Sequence, residues 1–312
     1  MTTDWRLYPP PAQKPRPFSA RPPSFRAGDA VCVRPTSRRD PVRHGAVLAV
    51  DATRGGDGTA RFLVSHSGGR TERGDRWYRA GRLLPLLHGR DGTRREATGG
   101  PPMTVVVTAD TTSYRNLALS QITPELMAVG GDDGGDGAAA VVEIGSSYGD
   151  ATYLLARAVA SAGSPGSRVV ALESSREAAS ECAGRLAHKF AGGAAGGVSV
   201  RPPPTRDDGT PVPPPEGAGD VVLEVRVADP LADPAAASAA VGRVPAGGVA
   251  AIFVDIGGNR EASSVVEVVQ WARREFRPRL LVLKSEAMYA SACGGFDHKR
   301  AVRAEQRIKK GR

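Results

Sequence analysis

The strongest constraint on the fold is an alternation in the second half of the chain. "AVVEIG" leads into "DATYLLARAVASAG", and "RVVALES" into "SREAASECAGRLAHKFAGG". "DVVLEVRVADP" precedes "AAASAAVGRV", "GVAAIFVDIGG" precedes "EASSVVEVVQWARREF", and "RLLVLKSE" ends the series. The first member of each pair is an apolar run of strand length, and the second has helical character. Apolar strands returned by helices pack as a parallel sheet, because the crossovers cover its faces. The pattern predicts an α/β fold, a doubly wound domain over residues 102–292. Within it, "MTVVVTADTTSYRNLALSQITPELMAV" reads as a strand and a helix, "GGDDGGDGAAA" as a loop, and the Pro/Gly-rich segment 192–220 as a disordered insertion.

Residues 28–87 have another rhythm. "GDAVCVRP", "HGAVLAVDAT", "TARFLVSHSGG" and "RWYRAGRLLPL" are short β-branched or alternating runs broken by Gly, Asp and Pro. Such spacing predicts a small, twisted all-β barrel. This stretch resembles the Tudor/SH3-like barrels of chromatin- and RNA-associated proteins. The resemblance implies an aromatic cage for a methylated cation, to which only Phe62, Trp77 and Tyr78 are available. Adjacent Trp77 and Tyr78 would point to opposite faces of a strand, so core packing is the expectation for at least two of the three. Residues 1–27 form a Pro/Arg-rich leader expected to be disordered, 88–101 a polar linker, and 293–312 a basic tail.

Composition bounds the functional classes. Cys32, Cys182 and Cys293 are odd in number and far apart, which fits neither a disulfide framework nor a zinc site and suits a reducing compartment. No apolar run reaches membrane-span length, so no membrane association is expected. An intracellular place follows, cytoplasm or nucleus, with an organelle transit peptide left open by the acid-poor leader. The net charge of +9 is uneven: residues 1–100 carry 19 Lys/Arg against 9 Asp/Glu, residues 297–312 carry 7 against 2, and residues 101–296 carry 16 against 22. Basic ends around an acidic middle imply attraction of nucleic acid by the flanks, or a solvated Arg-rich surface.

The most informative stretch is "VVEIGSSYGD", residues 141–150. It places Gly145, Ser146, Ser147 and Gly149 where a strand passes into a helix, the end of an open α/β sheet that binds ligands. Missing Cβ atoms let the backbone close on a ligand, and the helix start favours an anionic group. A dinucleotide fingerprint wants G-x-G-x-x-G, but Ser147 stands at its second glycine. Glu143, inside the apolar strand, would repel a pyrophosphate and could pair with an ammonium.

"VVEIGSSYGDATYLLA" resembles the first motif of class I S-adenosylmethionine-dependent methyltransferases, and "VVALES" the strand that follows in that family. Over residues 103–290 the resemblance implies S-adenosylmethionine as cofactor, bound by Glu143, Gly145, Ser146, Ser147, Gly149, Glu173 and Asp229. Glu173 would hold the ribose hydroxyls, unless it merely caps a helix, and Asp229 would face the adenine amino group. Asp255 and Lys284, at the ends of the last two strands, are the catalytic candidates, with Asn259, Arg260 and Glu286 beside them. An Asp and a Lys so placed resemble part of the set used by 2′-O-ribose methyltransferases, although no lysine lies between Lys14 and Lys189 to supply its first member. The expected function is methyl transfer to a macromolecule, nucleic acid ahead of protein. The alternatives are a non-catalytic nucleic-acid- or chromatin-associated adaptor and a nicotinamide-dependent oxidoreductase.

Overall fold

The computed structural model describes residues 25–35, 43–51, 60–66, 75–88, 103–128, 138–163, 165–191, 198–201, 221–242, 248–256 and 262–292. The leader up to residue 24, most of the linker and of the 192–220 insertion, Asn259, Arg260 and the tail 293–312 lie outside the described residues. The chain divides into two compact units, residues 1–113 with 284–312, and residues 114–283.

The first unit is built on five antiparallel strands: β1 (Ala30–Val33), β2 (Arg43–Asp51), β3 (Arg61–His66), β4 (Arg76–Arg79) and β5 (Leu83–His88). A single 3-10 turn, Ala80–Arg82, joins the last two. Their order is β4-β3-β2-β1-β5, with Cys32 opposite both His44 and Leu84. Strand β6 (Thr104–Thr108) continues the sheet antiparallel to β5, through Leu86 opposite Val106. This strand was expected to open the α/β domain. The core takes Phe62 and Val64 from the alternating β3, and consecutive residues from β1 and β5, Val31 to Val33 and Leu83 with Leu84. Phe62 is in the core, edge-to-face against Phe25 at 5.7 Å. Trp77 and Tyr78 are half-buried, and the Tyr78 hydroxyl is 2.9 Å from His66 Nε2. A short helix (Glu286–Ala292) belongs to this unit, with Tyr289 donating to the Leu83 carbonyl at 3.2 Å.

The second unit is α/β. Helix α1 (Thr111–Ser120) runs across the division, and α2 (Pro124–Met127) follows, capped by the Thr123 side chain, which accepts from Leu126 N. Then come β7 (Ala140–Ile144), α3 (Asp150–Ala162), β8 (Arg168–Glu173), α4 (Arg176–Ala191), β9 (Val198–Arg201), β10 (Val221–Val227), α5 (Pro234–Val241), β11 (Val249–Val254), α6 (Ala262–Phe276) and β12 (Leu280–Lys284). The strands lie in the order β12-β11-β7-β8-β10-β9, and every pair is parallel. From β7 the chain moves outward through β8 to β10, then returns to β11 on the other side. The carboxyl end of β7 is therefore the topological switch point, where such sheets take ligands. The buried runs Val249–Val254 and Ala140–Ile144 show why this sheet could be read from sequence: both faces are covered, so the strands do not alternate.

One element contradicts the expected insertion. β9 falls inside residues 192–220 and pairs with β10, Val198 opposite Val221. It is only four residues long, between a glycine-rich run and three prolines, so its local composition concealed it.

Candidate functional site

The site is assembled at the end of β7. Gly145 adopts φ +84, and a Cβ there would sit 2.2 Å from the Asp255 carbonyl oxygen. Its N–H, at 2.8 Å, donates to the Leu172 carbonyl, as Ser146 N does at 3.3 Å. Across the turn, Asp255 N donates to the Ile144 carbonyl at 2.8 Å. The turn is thus clamped by β8 on one side and by the end of β11 on the other. Ser147 takes φ 47, left-handed for a residue with a side chain. Gly149 closes the turn at φ +78 and is the N-cap of α3, with no side-chain cap bond. A Cβ on it would lie 2.9 Å from Cys182 Sγ. The Cys182 thiol is pushed up to about 11 by burial, against the effect of the Ser146 hydroxyl. It packs under the turn as a small apolar group.

Glu143 is 1% exposed. Its two oxygens accept from Thr152 Oγ1 at 2.5 Å and from the Tyr114 hydroxyl at 3.4 Å. Burial pushes its carboxyl up to about 8; the nearby Asp255 charge adds to this, while the Thr152 and Tyr114 hydrogen bonds act the other way. At neutral pH it is mostly protonated. The same burial, with Glu143 beside it, raises the Tyr114 phenol well above the ordinary range. The sequence required donors for a buried carboxylate but could not identify them. Thr152 lies within the helix just downstream, whereas Tyr114 comes from α1, separated from β7 in sequence by a low-complexity stretch.

Glu173 ends β8 and is half-exposed. Its Oε2 accepts from Ser147 N at 2.8 Å. Its Oε1 accepts from Ser174 N at 2.9 Å, Ser174 Oγ at 3.3 Å and Ser175 N at 3.4 Å. The carboxylate therefore ties the turn after β7 to the turn after β8. Ala228 N donates to the Glu173 carbonyl at 2.9 Å, which brings the end of β10 alongside. There Asp229 accepts from Leu231 N at 2.9 Å and closes its own turn. Asp150, on the first turn of α3, is held below the usual carboxylate range, first by a hydrogen bond from Lys189. Lys189 and Arg115 lie 2.8 and 2.7 Å from its oxygens. No sequence signal flagged that pair.

Six of the expected residues, Glu143, Gly145, Ser146, Ser147, Gly149 and Glu173, converge on this one turn, and Asp255 joins them through its backbone. Lys284 ends β12 and belongs to the first unit, whereas Asp255 belongs to the second. Asn259 and Arg260 lie outside the described residues.

No family model matches the chain, and no curated protein matches it. Among solved structures, a quinone oxidoreductase from Thermus thermophilus, described with its NADPH complex, is 14% identical, with a TM-score of 0.22 over 86% of this chain and 76% of that one. A probable oxidoreductase from Mycobacterium abscessus is 11% identical, with a TM-score of 0.21 over 93% and 82%. At those scores neither likeness carries an argument about what this chain does.

The comparisons do not bear out the family expected from sequence. No family model and no curated protein supports a class I methyltransferase, and the two solved structures named are described as oxidoreductases, so methyl transfer to a macromolecule and S-adenosylmethionine as cofactor are withdrawn. The geometry gives a physical side to the correction. The carboxyl expected to meet an ammonium group, Glu143, is enclosed in the core, uncharged at neutral pH and already bonded to two hydroxyls.

Proposed function

We propose that the second unit binds a nucleotide at the carboxyl end of β7, with the ribose against Glu173 and an anionic group at the start of α3. The observation that carries the reading is the Glu173 bridge: a half-exposed carboxylate at the end of β8, 2.8 Å from the backbone N–H of the left-handed Ser147. A carboxylate in that place accepts from ribose hydroxyls. It also repels a 2′-phosphate, so the reading favours a nucleotide with a free 2′-hydroxyl. One sequence-level objection to a phosphate weakens on the structure: Glu143 is mostly protonated at neutral pH instead of repelling. The start of α3 carries no side-chain cap, and its one acid, Asp150, is neutralised by Arg115 and Lys189.

Strand order in the first unit, with a single 3-10 turn before β5, supports the SH3/Tudor-like barrel expected there. Binding of NAD and NADP to the wild type and to Glu173→Gln tests the ribose assignment. Wild type should prefer NAD by about tenfold or more, as expected from a carboxylate beside a 2′-phosphate, and the variant should lose most of that preference. Equal affinities in the wild type would contradict it.

A further inference from the structure

Tyr148 is the most exposed large hydrophobic side chain among the described residues, at 55%. It stands at the tip of the turn between Gly145 and Gly149. The Arg185 guanidinium, from α4, lies 5.2 Å from its ring centroid. One helical turn further along α4, Lys189 stands 5.2 Å from the Tyr153 ring, and Arg157 approaches the same ring at 5.8 Å. Arg115, 44% exposed at its side chain, completes the cluster from α1 through Asp150. Four cations are thus interleaved with two aromatic rings, against three acids: Asp150, Glu181 at 3.9 Å from Arg185, and Glu173 at the foot of the turn. The local charge is positive within the part of the chain that is acidic as a whole.

We propose that this surface binds single-stranded nucleic acid, with Tyr148 as a platform on which one base stacks and Arg185, Lys189, Arg157 and Arg115 as partners for the phosphates. An aromatic face accepts any base, and cations spaced around it follow a phosphate backbone. A double helix keeps its bases paired and stacked and has none to offer the ring. Charge selects the partner, since the rings are bordered by cations that an acidic polymer neutralises. The surface borders the nucleotide site, sharing its turn and the Arg115 and Lys189 cations on Asp150, but its recognition group is the Tyr148 ring and not Glu173.

The test is fluorescence anisotropy of a labelled oligothymidylate with the full chain. Wild type should bind single strand more tightly than duplex of the same length, and Tyr148→Ala should weaken single-strand binding by about tenfold. Arg185→Gln should reduce the slope of log K against log salt by about 0.7, one phosphate contact on a single strand. Unchanged affinity in Tyr148→Ala would overturn the proposal. So would tighter binding of polyglutamate than of oligothymidylate, which would point to an acidic protein partner.

Discussion

At the scale of single residues, the turn after β7 imposes two demands that differ in kind. Gly145 answers to sterics. Any side chain there adds left-handed strain and drives a Cβ to 2.2 Å from the Asp255 carbonyl oxygen. Gly145→Ala should therefore cost about 2–5 kcal/mol in a denaturant titration, from strain and overpacking together. A stable, well-folded variant would show that the turn is looser than described. Glu143 answers to proton linkage. Between its ordinary value of 4.5 and about 8 the folded carboxyl keeps a proton that the unfolded chain has released. The native state then binds more protons, so stability falls as pH rises through that window, by up to about 1.4 kcal/mol per pH unit. Denaturation at about pH 5.5 and about pH 7.5 should show Glu143→Gln losing less stability than wild type between the two, by roughly 2 kcal/mol. Parallel pH profiles would mean that Glu143 titrates as an ordinary carboxylate. The glycines and Glu143 were legible in sequence because they interrupt an apolar run. Tyr114 was not, since only the folded chain brings α1 beside β7.

At the scale of elements, caps and strand pairing decide what the sequence could show. α5 begins at Pro234, with Asp233 as N-cap accepting from Ala236 N at 2.9 Å. Its first turn also receives the Trp271 indole of α6, which donates to the Pro234 carbonyl and to Ser238 Oγ at 3.1 Å. Asp233→Ala should lower stability by about 1 kcal/mol in urea unfolding; no change would mean that the Trp271 contact alone holds the helix start. Long apolar strands such as β11 announce themselves by composition. β9 does not, because four residues between glycines and prolines carry no period, and only pairing with β10 makes them a strand. β6 was read as a strand from its apolar run, but its antiparallel pairing with β5 is encoded by no local signal.

At the scale of the whole molecule, charge and fold carry separate messages. The sum of +9 drew attention to the ends of the chain. The basic and aromatic cluster around Tyr148 is assembled instead from α1, the turn before α3, α3 itself and α4, residues too far apart in sequence to form a visible run. No helix among the described residues is long and apolar enough to cross a membrane. The doubly wound pattern was legible because repeated alternation leaves few other packings. The ligand was not, because the same glycine turn serves several nucleoside-bearing molecules and their discrimination lies in hydrogen bonds such as that between Ser147 and Glu173. The most direct measurement of the central claim is calorimetric titration of ADP-ribose into the folded protein. The account predicts saturable, one-to-one binding that is lost in Glu173→Ala, with the variant still folded by circular dichroism. Absence of heat from the wild type up to about 1 mM ligand, a binding energy weaker than about 4 kcal/mol, would contradict it.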